Sequence, residues 1–197
     1  MAGIESMYRR EDGQVLIEIK LHSVLQLFNT FDPAPFHEKE LDTVAEHYIV
    51  GVVKDFSPKT RFKIVIYLPE SIASTERAQK IPAAIRNHFM YRVMTEERKF
   101  RDRFRHGRWA LLIGILFVTI AMIIRQLVYA SLGSNHLVSQ IIADSLLIIG
   151  WAAMWEPVTV LLYELWPIIQ QRRTFERIST MEIDVLPYVP QSYEMPR

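Results

Sequence analysis

Four ionisable side chains interrupt the most apolar stretch of this chain of 197 residues, and they are the first candidates for chemistry: Arg125, Asp144, Glu156 and Glu164. A charge near the middle of a bilayer costs roughly 2.5–3.5 kcal/mol on insertion scales, so such groups face protein or water and mark a pairing or a pathway. Arg125 and Asp144 lie at similar distances on either side of the short connection Ser131 to His136. If that connection turns a hairpin, the two share a depth. They are then expected to pair across it as a structural lock, the alternative being a gate or relay.

Glu156 is followed by Pro157. It lies about 18 Å inward of Asp144 at 1.5 Å per residue, and on the first segment the matching level, Leu112 to Leu116, has no basic residue. Its partner is therefore expected from a neighbouring subunit, another membrane protein, an indole N–H of Trp151 or Trp155, water, or protonation. Pro157 has no N–H for the carbonyl of Ala153, which predicts a kink. An acid beside a kink can build an ion or proton site, or a packing contact. Glu164, expected at the cytoplasmic interface with Trp166 and Trp109 nearby, reads as a side chain reaching toward water there.

A second set, His37, Glu38, Glu40, Asp42, Glu46 and His47, superficially resembles metal ligands, but no HExxH spacing supports a site. A polar entrance to a helix explains it. No Gly-rich phosphate loop, GxSxG or recognisable catalytic carboxylate pair occurs. With no cysteine, thiolate metal sites, disulfides and a Cys nucleophile are excluded. The sequence points to no enzyme, catalytic residue, cofactor or metal.

Two apolar segments must position the charged groups. Trp109 to Ile124 is apolar except for Gly114 and Thr119, and Leu137 to Ile169 is the second. About 20 such residues cross a hydrocarbon core about 30 Å thick. The connection is too short for a domain, so a transmembrane hairpin is predicted. Ala110 and Gly114, and Ala143, Gly150 and Ala153, would let helices approach closely.

Residues 1–97 carry 12 basic and 14 acidic side chains, a net of −2, whereas the juxtamembrane stretch 98–108 holds Arg98, Lys99, Arg101, Arg103, Arg105 and Arg108 against Asp102 alone. Arg172, Arg173 and Arg177 follow the second segment, and the connection has no Lys or Arg. By the positive-inside rule both termini are cytoplasmic, and no signal peptide precedes them. The basic cluster can also hold anionic headgroups at about 1 kcal/mol per charge. A net charge of +1 gives no sign of a nucleic-acid partner.

The soluble part reads as a small α/β domain. Residues 1–13 form a lead-in and turn. Val15, Ile17, Ile19 and Leu21 alternate with polar residues, predicting a strand, and Phe62, Ile64, Ile66 and Leu68 predict another. Ser23 caps a short helix. Phe28, Phe31 and Phe36 pin the proline-rich loop that follows. Thr43 and Glu46 form a capping box opening a helix over 43–55. An intervening helix makes the two strands parallel, with a right-handed crossover. Ile81, Ile85, Phe89, Val93, Phe100 and Phe104 stripe a helix entering the membrane, restarted at Pro82, with Gly107 as a flex point.

The expected fold class is thus an α+β membrane protein, a two-helix hairpin carrying a βαβα domain. Its parts are a domain over 1–97, a basic helix over 98–108, spans over 109–131 and 137–169, an outer loop over 132–136, and a tail over 170–197 whose residues 180–185 add a third strand. The expected function is a non-enzymatic subunit or scaffold in a bacterial inner membrane, contacting lipid and either a second copy or another membrane protein. A small ion or proton channel using Arg125, Asp144 and Glu156 is the rival, and a lipid-sensing regulator the third reading. Reporter fusions at Met1 and Arg197 should both report the cytoplasm; an external signal from either contradicts the charge argument.

Overall fold

The computed structural model describes residues 7–35, 39–132 and 137–189. They form two compact units, one built from Met1–Met94 with Arg172–Arg197, the other from Thr95–Gln171. The fold is α+β, with a mixed sheet of four strands and two long apolar helices.

The sheet has the order β1 (Arg10–Glu11), β2 (Gln14–Lys20), β3 (Arg61–Pro69), β4 (Glu182–Tyr188). The lead-in contributes more than a turn. β1 pairs antiparallel with β2 across Asp12 and Gly13, whose φ values of 50° and 75° are those a two-residue hairpin turn requires. β2 and β3 run parallel, Ile17 against Ile64 and Ile19 against Ile66. β4 joins β3, also parallel, with Ile64 against Ile183 and Ile66 against Val185. The tail strand therefore exists, slightly later than the alternation suggested, with Met181 buried just before it.

Side chains alternate across a strand, so this register gathers Val15, Ile17, Phe62, Ile64, Ile66, Leu68 and Ile183 on one face. That face is covered by α1 (Thr43–Asp55) through Ile49, Val52 and Val53, by the start of α4 (Ile81–Leu132) through Ile81, Ile85 and Phe89, and by the end of α7 (Leu165–Ser179) through Phe175 and Ile178. Short helices α2 (Glu70–Ala73) and α3 (Glu76–Gln79) lead from β3 into α4. The opposite face is mixed, with Leu16 and Val65 buried among polar side chains. Lys63 on β3 grips Asp184 at 2.7 Å and Glu182 at 3.3 Å on β4, and Tyr67 donates to Glu18 on β2 at 2.8 Å.

Two local expectations are corrected. The N-cap of α1 is Asp42, whose carboxylate accepts the Val44 N–H at 2.9 Å, so Thr43 is already helical and Glu46 is free for another partner. In the proline-rich loop Phe28 is buried but Phe31 is 92% exposed, and Phe36 lies outside the described residues. Of the two described, Phe28 alone packs into the core.

The second unit contains the rest of α4, then α5 (Leu137–Ala153), α6 (Trp155–Thr159), a π-helical turn over Val160–Glu164, and the first turns of α7. The helices pack antiparallel. Gly107 meets Val160 and Leu161, Gly114 meets Met154 and Pro157, and Gly150 meets Val118 and Ala121. At Gly107 a Cβ would stand 3.0 Å from Leu161 Cδ2, and α4 runs through it unbroken. This glycine serves close approach and not bending. Two helices are long and apolar enough to cross a membrane, and only 11% and 17% of their most apolar windows is buried, unlike the core helices of soluble proteins.

Truncation after Ser179 removes β4. Burial of one large apolar side chain contributes about 1.5–3 kcal/mol, so amide exchange in β2 and β3 should speed by roughly a hundredfold. Unchanged exchange there would show that β4 contributes nothing to the sheet.

Candidate functional site

The most connected buried polar cluster lies in the first unit. Glu46 on α1, His88 and Arg92 on α4 and the backbone of Leu41 meet there. His88 is in the first unit's apolar stripe, beside Phe89 and one turn after Ile85. Its Nε2 lies 3.0 Å from Glu46 Oε2, and its Nδ1 accepts the Leu41 N–H at 3.1 Å. An accepting Nδ1 fixes the tautomer: the proton is on Nε2 and is donated to Glu46. Arg92 Nη2 reaches the other carboxylate oxygen at 2.9 Å while its guanidinium lies over the Phe175 ring, 5.1 Å from the centroid.

A Glu–His pair invites comparison with general-base catalysis, but the geometry assigns it a different task. A catalytic imidazole needs one nitrogen free for substrate. Here both are engaged, and the side chain of His88 is only 4% exposed. The cluster ties α1, α4 and the loop end at Leu41 together. Burial alone would raise the Glu46 carboxyl above its ordinary value, but the His88 hydrogen bond and the Arg92 charge outweigh it and hold the group below 4.5.

The metal-like set dissolves into local roles. Asp42 caps α1, Glu46 joins His88, and the Nδ1 of His47 contacts the Thr43 carbonyl at 2.8 Å. His37 and Glu38 lie outside the described residues, and among those described no three His, Asp or Glu side chains converge.

In the second unit the charged residues are arranged differently from the expectation. Among the described residues no ion pair joins Arg125 to Asp144. The Arg125 guanidinium lies over its own helix, 5.3 Å from the Tyr129 ring, and its Nε is buried without a hydrogen bond. Asp144 is exposed on the apolar surface of α5, with no ion pair among the described residues. Equal depth on facing helices was legible; the rotation of each side chain about its helix was not.

Glu156 also departs from the expectation. The imidazole of His106, on its own hairpin, lies with Nε2 3.9 Å from its Oε1. The level opposite Glu156 is apolar, as expected, since Gly114 meets Met154 and Pro157. His106 sits two turns away and reaches across at the point where Met154 and Pro157 break the second helix. Its place in a basic cluster concealed it. Glu164 pairs with Arg103 at 3.2 Å, Arg105 with Asp102 at 3.2 Å and Lys99 with Glu96 at 2.6 Å. Arg98, Arg101 and Arg108 are exposed and carry no ion pair among the described residues.

No protein-family model, curated protein or solved structure matches the chain.

A carboxylate held low in the fold contributes stability that is complete above its ordinary value and is lost as the pH falls through the depressed one. Acidification below 4.5 should therefore destabilise the wild-type domain more than Glu46→Gln. At neutral pH that variant should cost about 1–3 kcal/mol, the worth of charge-assisted hydrogen bonds in a partly buried setting. Denaturant midpoints against pH measure both, and identical pH profiles would refute the assignment.

Proposed function

We propose that the chain is a non-enzymatic integral membrane protein whose helical hairpin is a subunit or scaffold of a larger assembly, with both termini in the cytoplasm. One observation carries this reading: Asp144 stands exposed on the apolar face of α5 without a counter-charge among the described residues. A carboxylate facing hydrocarbon alone is costly, and intramembrane ionisable groups turn to protein or water. A hairpin of two helices encloses no pore, so a second chain is the available source of that partner.

Bulky apolar side chains elsewhere on the hairpin support the same reading. Ile113, Leu116, Ile148 and Trp151 are more than half exposed on the hairpin surface. The positive flanks set the orientation as argued from the sequence. The inner membrane of a bacterium is the proposed location.

The rival, an ion or proton pathway, differs in a measurable output. Purified in mild detergent, the protein should run as an oligomer or with a companion. Asp144→Leu removes the need for a counter-charge and should shift it toward the single chain while insertion persists. In liposomes, wild type and Glu156→Gln should both give no flux; a wild-type flux abolished by the substitution overturns the scaffold reading.

A further inference from the structure

Along the hairpin, between α4 and the broken start of α6, runs an open groove of about 450 Å³, walled by Ile113, Gly114, Phe117 and Pro157 and ending in polar groups at His106 and Glu156. Its polar end has unmet acceptors. The Glu156 side chain is 75% exposed, and its one counter-group, His106 at 3.9 Å, is beyond hydrogen-bond reach. Pro157 supplies no N–H to the Ala153 carbonyl, and that oxygen faces Gly114, 3.5 Å from where a Cβ would stand.

Each part specifies a piece of one ligand. A carboxylate and a stranded carbonyl ask for a cation bearing several N–H donors. The His106 imidazole at the same end, which can donate an N–H, asks for an anion attached to that cation. The wall of Ile113 and Phe117 asks for hydrocarbon, and Trp109 at the groove edge suits the boundary between the two.

We propose that the groove binds one zwitterionic phospholipid whose head carries a primary ammonium. The ammonium rests on Glu156 and the Ala153 carbonyl, the phosphate turns toward His106, and an acyl chain lies along Ile113 and Phe117. A primary ammonium offers three N–H donors, whereas a quaternary one offers none. The site therefore discriminates between two lipids of equal charge. This differs from headgroup attraction at the basic cluster, which favours anionic lipid without regard to the amine. The inference rests on the membrane reading above.

The test exchanges full-length protein into mixed micelles with equimolar phosphatidylethanolamine, phosphatidylcholine and phosphatidylglycerol, and measures retained lipid by mass spectrometry. Wild type should retain phosphatidylethanolamine over phosphatidylcholine by about tenfold, the discrimination one charge-assisted hydrogen bond supplies. Glu156→Gln should bring that ratio near unity, and Gly114→Leu, which fills the groove, should lower retention of both. Should Gly114→Leu fail to insert, Glu156→Gln alone decides. Equal retention of the two zwitterionic lipids by wild type overturns the proposal, as does preference for phosphatidylglycerol. So does a detergent dimer that Gly114→Leu dissociates while no lipid is retained, which gives the groove to a second copy. Resistance to alkaline extraction is measured in parallel; its loss in wild type refutes the membrane reading itself, separately from lipid choice.

Discussion

The pairing of β4 with β3 is the constraint on which the rest of the chain depends. Two strands with one apolar face do not make a stable sheet, and here the third long strand comes from beyond the hairpin. Parallel pairing adds a directional demand. The chain leaves β3 at Pro69 and must re-enter the same sheet at Glu182, beside Lys63 near the opposite end of that strand. Parallel neighbours always need a crossover, commonly one helix. In this chain the crossover contains both long apolar helices, so the chain that leaves the sheet toward α4 returns to it through α7.

Inside the hairpin, two devices oppose each other. Small residues on α4 allow close packing, so Gly107 and Gly114 receive Leu161 and Met154 where a Cβ would collide. The second helix, by contrast, is irregular where those contacts fall, with a break at Met154, Pro157 in the next helix and a π-helical turn over Val160–Glu164. Such widened turns cluster at functional positions, because they redirect side chains that a regular helix would hold elsewhere. Glu164, at the end of that turn, pairs with Arg103 of α4, and Glu156, beside the break at Met154, lies 3.9 Å from His106.

Period-two alternation carried the strands, since Val15 to Leu21 and Phe62 to Leu68 need only be half-buried to declare themselves. The α1 boundaries followed from Ser57-Pro58 at one end and polar residues at the other. The details that depend on a side chain's rotation or on a distant partner were not legible. Asp42 and Thr43 are both good caps, and the sequence does not say that Glu46 is claimed by His88, 42 positions away. His88 looks like an ordinary residue of an amphipathic helix until Leu41 is brought against it. Arg125 and Asp144 share a level but not a facing, which depth counting cannot see.

Because β4 is the last element of the sheet, folding of the first unit is tied to synthesis of everything between. More than a hundred residues separate Pro69 from Glu182. At translation rates of roughly 5–20 residues per second, the apolar edge of β3 waits on the order of 5–20 s for its partner. During that interval the unpaired backbone of β3, with Ile64 and Ile66 beside it, is a template for any strand that arrives first. The topology makes the nascent chain dependent on whatever shields that edge until Glu182–Tyr188 has been made, and it turns any delay in completing the chain into a longer exposure of an aggregation-prone strand.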